Sequence, residues 1–230
     1  YSMKQKYKED EFFIPGYIRA NDNKFYKFNI EQNTIYYCRD NIIIDNYNSH
    51  KFPKEKYIVM NYFILDLVNK KMELYDKNIY DSFIELFYNI EKIDIYNDKK
   101  NKNKIIKIKT SDCGISYIVL DKNNEIIKFA NDTIDCIGNN FLLRNETIKE
   151  LYLPKVKVIG DSFMLYTYDL QILYLPSVKY IGNNFMIENF LKKIYLPKLE
   201  SVGNCFLMHS NRLEKVCLPN LKYSSNEFIR

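Results

Sequence analysis

The chain of 230 residues has no tryptophan, two histidines, six glycines and five cysteines, and each scarcity removes a class of chemistry. With so few glycines there is no G-x-G-x-x-G turn and no G-x-x-x-x-G-K-[ST] loop, the backbone cradles that hold nucleotide phosphates. His50 and His209 stand in no Cys–His or Ser–His–Asp signature. Cys38, Cys113, Cys136, Cys205 and Cys217 form no C-x-x-C pair, and Cys205 with His209 supplies two ligands where zinc needs four. The odd cysteine count leans toward a reduced, intracellular setting rather than secretion or surface display. The longest apolar stretch, residues 57–68, is interrupted by Asn61 and Asp66 and is too short for a bilayer, so no membrane span is expected. No secretory leader is legible at Tyr1-Ser2-Met3. The acidic groups at 9–11, and Asp94 near Asp98, offer no acid–base geometry. The expectation is a protein that is not an enzyme and needs neither cofactor nor metal.

What the chain does have is aromatic and basic side chains: 21 Tyr, 15 Phe, and 34 Lys and Arg against 29 Asp and Glu. Apolar residues make up 47%, enough for a real core. The net charge of +5 is spread along the chain, whereas nucleic-acid binders usually segregate a basic face. The densest basic run, residues 98–109, carries Lys102, Lys104, Lys107 and Lys109. It is a candidate patch for phosphates of a nucleic acid or nucleoprotein, set against the plainer reading of a solvated loop entering a strand.

The decisive pattern is internal repetition. The fragment (Ile/Val)-Gly-(Asn/Asp)-x-Phe recurs at Gly138, Gly160, Gly182 and Gly203, with spacings 160−138 = 22, 182−160 = 22 and 203−182 = 21. Pro154, Pro176, Pro197 and Pro219 run in step with it. Ahead of each proline lies L-x-x-L-x-L, as in Leu170, Leu173, Leu175 and in Leu191, Ile194, Leu196. The last two apolar positions alternate, the period of a strand with one buried face, and the proline ends the pairing. Val156, Ile159 and Phe163 line the return path. Glycine there implies either a positive φ or a close approach. One copy cannot bury its own apolar edge, so the copies must stack into a parallel sheet.

This pattern, L-x-x-L-x-L-P-x-V-x-x-I-G-x-x-F, resembles the BspA-type (Treponema-type) leucine-rich repeat over residues 126–230. Family copies carry Ala-Phe and then Cys after the glycine; here the Ala is absent and the Cys is not kept. The resemblance implies a curved solenoid used for protein binding and attachment, without catalytic residues.

The expected fold is therefore mainly β: a solenoid of about five 21–22-residue repeats at 126–230, a transition hairpin at 105–125, and a β-rich (α+β) region at 1–104. In the last, residues 24–30 with 34–38 and 62–68 with 71–75 read as hairpins, and 81–89 as a short helix capped by Asp81 or Ser82. The region is either a separate small domain or a solenoid cap. Residues 117–120 and 125–129 read as a third hairpin. Asp81-Ser82-Phe83 followed by Ile90, Ile93 and Ile95 also matches the repeat in register. Asn131-Asp132-Thr133 and Asn145-Glu146-Thr147 fit the glycosylation sequon.

The candidate docking stripe is the outward position of each solenoid strand. It carries Tyr152, Tyr174 and Tyr195, with Glu150, Ile172, Lys193 and Lys215 two residues earlier in successive strands. Strands about 4.8 Å apart would stack the three tyrosines as a ladder, either to grip a protein partner or simply to stabilise the sheet. The polar Ser224 and Ser225 of the last copy leave its strand, 213–218, as an open edge for self-association. Three functions fit: a protein-interaction module, a small intracellular inhibitor of an enzyme or nucleoprotein, or a surface attachment protein.

Overall fold

The structure, a computed structural model, describes residues 26–29, 34–37, 56–75, 79–98, 101–225 and 227–228. Residues 9–11, Cys38 and His50 lie outside them. The molecule is mainly β, with a parallel β-solenoid of about four turns over residues 128–224.

Ahead of the solenoid the strands are antiparallel. β1 (Tyr26–Asn29) pairs with β2 (Thr34–Tyr37), the first expected hairpin. β3 (Tyr57–Met60), β4 (Phe63–Asp66) and β5 (Lys71–Leu74) form a meander, of which the sequence pattern had revealed only the second hairpin. In the run 57–68 a lone Asn61 between apolar residues gives no two-residue turn signal, so the turn is hidden; Asn61 at φ 52° makes it. The expected helix is a single 3-10 segment, Ser82–Phe87, capped by Asp81, whose side chain accepts from the Phe83 N–H. Then β6 (Ile90–Asp98), β7 (Asn103–Thr110), β8 (Gly114–Leu120) and β9 (Ile126–Asn131) run antiparallel in sequence order. β7 crosses residue 104, so this ladder leads without interruption into the solenoid.

Each later coil contributes two strands. The first set is β11 (Glu150–Tyr152), β13 (Ile172–Tyr174), β15 (Lys193–Tyr195) and β17 (Lys215–Cys217). The second set is β10 (Cys136–Ile137), β12 (Val158–Ile159), β14 (Tyr180–Ile181), β16 (Ser201–Val202) and β18 (Tyr223–Ser224). The second set forms one continuous five-stranded parallel sheet. The first does not. β9, β11 and β13 are parallel and extend the antiparallel ladder, whereas β15 pairs with β17 alone. From Phe185 to Leu191 the chain advances 191−185 = 6 positions, where 170−163 = 7 separates Phe163 from Leu170. The missing residue falls directly before β15, where the pairing lapses.

The third side of each coil carries three alternating left-handed residues: Asn140, Leu142, Arg144; Ser162, Met164, Tyr166; Asn184, Met186, Glu188; and Cys205, Leu207, His209. The alternation turns successive N–H groups toward opposite neighbours. Ser162 N–H donates forward to Asn183 O at 2.8 Å, and Met164 N–H donates back to Phe141 O at 2.9 Å. Such backbone costs about 1–2 kcal/mol per non-glycine residue. Burial of Phe and Leu or Met from the same arc offsets it. The phenylalanines stack through the interior: Phe141–Phe163, Phe163–Phe185, Phe185–Phe206 and Phe206–Phe228 lie 5.5, 5.2, 5.2 and 5.1 Å apart.

The repeat glycines serve close approach, not positive φ. A Cβ on Gly182 would lie 2.3 Å from Asp161 Oδ1 and 2.8 Å from the Gly160 carbonyl carbon. The residue after each glycine explains its Asn/Asp preference: Asn139, Asp161 and Asn183 Oδ1 accept from the N–H groups of Asp161, Asn183 and Asn204 at 2.8, 2.6 and 2.9 Å.

The upstream Asp81-Ser82-Phe83 match holds only at this turn. Ser82 N–H donates to Asn139 O, as Ser162 donates to Asn183, and the Phe83 ring lies 5.6 Å from that of Phe141. The chain then departs, because β6 is the antiparallel far edge of the ladder rather than another coil. The main apolar core runs from Ile58 and Phe63 to Leu207, which makes the β3–β5 meander a cover for the first coil. Asn61 fastens it: its Oδ1 accepts from Ile126 N–H at 2.7 Å and its amide donates to Thr147 Oγ1 at 3.1 Å.

Candidate solenoid docking faces

The first-sheet stripe is real in register but not uniformly accessible. Tyr152 and Tyr174 stack at 4.7 Å with rings 6° from parallel. Tyr152 is only 3% exposed, packed with Ala130, Tyr117, Ile172 and Tyr174. The reason is β8, which extends the sheet past β9 and brings Tyr117 opposite Ala130. Tyr152 is therefore part of a small outer core and presents little surface to solvent. Beyond it, Tyr195 sits across the lapse between β13 and β15, so hydrogen-bond pairing does not extend the ladder to all three tyrosines. Ile172, Tyr174, Tyr195 and Lys215 are half-buried, and Lys193 is exposed. Glu150 is engaged with Lys128 at 2.5 Å in a pair largely screened from water.

The basic run does not converge. Strand alternation sends Lys104 to the face opposite Lys107 and Lys109. Lys104 Nζ donates to Asn124 Oδ1 at 2.9 Å, Lys107 Nζ lies 5.9 Å from the Tyr117 ring centroid, and Lys109 pairs with Glu91 at 2.6 Å. Lys102 stands in the tight β6–β7 turn at φ 57°. Four lysines adjacent in sequence thus have four separate surroundings.

The second sheet carries the more exposed apolar stripe, which sequence reading missed. Its outward column is Cys136, Val158, Tyr180, Ser201 and Tyr223, in direct register. Val158, Tyr180 and Tyr223 are 41, 48 and 70% exposed. Beside it runs a charged column, Asp135, Lys157, Lys179, Glu200 and Lys222. Backbone bonds hold this column in step: Lys179 N–H donates to Lys157 O, and Glu200 N–H to Lys179 O, each at 2.8 Å. The legible signal was the residue immediately before each Ile-Gly or Val-Gly, which must face outward if its neighbour faces in.

Compared with family models, curated proteins and solved structures, the chain matches none.

A buried carboxylate–phenol pair, Asp81 and Tyr62, lies under the cover. Asp81, fully buried, accepts from the N–H groups of Phe83, Leu142 and Leu143 and from the Tyr62 hydroxyl. Desolvation pushes its carboxyl up to about 7, although these hydrogen bonds pull it down. Burial, followed by the nearby Asp81 charge, drives the Tyr62 phenol well above its ordinary value. The same hydroxyl is 2.6 Å from Leu143 O, which joins cover, ladder turn and arc in one network.

Both sequons are closed. Asn131 Nδ2 donates to Cys113 O and Ser116 Oγ, and Asn145 is buried with its Oδ1 accepting from Thr147 and Ile148 N–H. Neither amide can receive a glycan in the folded protein. Cys113, Cys136, Cys205 and Cys217 are free thiols. Among the described residues no helix is long and apolar enough to cross a membrane.

Proposed function

We propose that this chain is a non-enzymatic protein-binding module of the BspA-type repeat kind, docking its partner on the outer face of the first solenoid sheet. What supports the reading is a fixed backbone offering Tyr174, Tyr195, Ile172, Lys193 and Lys215 on one side of successive strands. Tyrosine on a rigid strand brings large contact area with little entropy left to lose. Tyr152 and the Lys128–Glu150 pair flank this surface on the neighbouring strands, Tyr152 stacked on Tyr174.

The test compares wild type with a Tyr174→Ser/Tyr195→Ser variant, shown folded by circular dichroism, in affinity capture from the source cells with and without nuclease. A protein held by wild type regardless of nuclease, and released by the variant, supports the reading. Equal retention by both refutes this face, and loss after nuclease redirects the search to Lys102, Lys104, Lys107 and Lys109.

A further inference from the structure

We propose that the outer face of the second parallel sheet is a separate docking surface for an acidic protein segment. The inference rests on exposure and charge, and it does not depend on the first-sheet reading.

Tyr180 and Tyr223 stand two coils apart, about 10 Å along the array from the usual strand spacing. Their exposure is high for large apolar groups on a rigid sheet. Alongside them lie Lys157, Lys179 and Lys222, with Lys155 and Lys198 exposed at the turns leading into the same sheet. Two acidic groups share the face. Asp135 pairs with Lys157 at 3.7 Å, while Glu200 pairs with Lys179 at 3.5 Å and Lys222 at 2.9 Å. Five lysines against these two carboxylates and Asp132, exposed at the turn leading into β10, leave 5−3 = +2 on this face. No ion pair among the described residues engages Lys155 or Lys198.

This excess selects an anionic partner. The arrangement favours a polypeptide over a nucleic acid, since Glu200 sits within the lysine column and would face a phosphate along any continuous backbone track. An acidic polypeptide can set carboxylates opposite the lysines, leave a neutral group opposite Glu200, and place apolar or aromatic side chains on Tyr180 and Tyr223.

A labelled random glutamate–tyrosine copolymer serves as the probe, read by fluorescence anisotropy against a single-stranded oligonucleotide of similar charge. Wild type is compared with three folded variants: K155E/K157E/K198E, the charge-neutral Y180S/Y223S, and K192E/K193E/K215E on the first sheet. The expected result is about tenfold or greater weakening by the first variant, several-fold weakening by the second and little change with the third. Equal weakening by both lysine variants would mean the copolymer senses only net charge, and would overturn the inference. So would unchanged binding by Y180S/Y223S, tighter binding of the oligonucleotide, or no binding of copolymer to wild type. Weakening confined to the third variant would overturn this inference while leaving the first-sheet face in place.

Discussion

The phenylalanine stack makes a quantitative demand on the fold. Phe185 is fully buried, with Phe163 at 5.2 Å and 5° on one side and Phe206 at 5.2 Å and 11° on the other. Replacing a buried Phe by Ala costs about 3–5 kcal/mol. Losing two ring contacts, each worth about 0.5–1.5 kcal/mol, places Phe185→Ala near the top of that range. Phe228 is half-buried and meets one ring, Phe206 at 5.1 Å, so Phe228→Ala should cost about 1–2 kcal/mol. Domains of ordinary stability have about 5–15 kcal/mol in total, so the first variant removes a third or more in most of that range. Urea unfolding followed by far-ultraviolet circular dichroism gives both values. Amide exchange then shows whether the coils beyond the substitution open independently, as nearest-neighbour arrays do. A loss below about 2 kcal/mol for Phe185→Ala, or equal losses for the two variants, would refute the stacked interior as the main source of stability.

Three further outcomes follow from the same packing. Tyr152→Ser should destabilise by about 2–3 kcal/mol because it opens the outer core, whereas Tyr195→Ser should cost less than about 1 kcal/mol; matched urea midpoints check the contrast. Gly182→Ala drives a methyl group against the backbone of the preceding coil and should cost about 1–3 kcal/mol in the same assay, with no loss expected only if the coils can separate. Asp81 has a folded-state pKa near 7, above its ordinary value of 3.8, so its folded form holds the proton more tightly. Its contribution to stability is then complete below about pH 4 and declines as pH rises toward and through 7. A urea midpoint that falls over this range in wild type, but falls less in Asp81→Asn, is the expected result; identical slopes would exclude Asp81 as the cause.

The repeat half was legible because its signals are local and periodic. Leu173 and Leu175 alternate, Pro176 stops the strand, and four copies recur every 21 or 22 residues; those facts are sufficient for stacked parallel strands. The hairpins at β1–β2, β4–β5 and β8–β9 were legible for a similar reason, their polar turns standing between apolar runs. The 3-10 segment after Asp81 was recognisable as helix start but not in type, since a six-residue turn follows its packing more than its propensity.

What sequence determined alone was the coil: which residues turn inward, which outward, and how many positions make one circuit. Tertiary structure decided which outward residues meet water. Tyr152 and Tyr174 occupy equivalent repeat positions, yet one is buried, because β8 lays Tyr117, 152−117 = 35 residues earlier in the chain, near it. Tyr180 and Tyr223 drew no notice in the sequence, yet they are 48 and 70% exposed on the outer face of the five-stranded sheet. Alternation along a strand is a local property of the backbone, whereas exposure depends on every chain segment that reaches the face, and short spacing patterns hold no record of those long-range contacts.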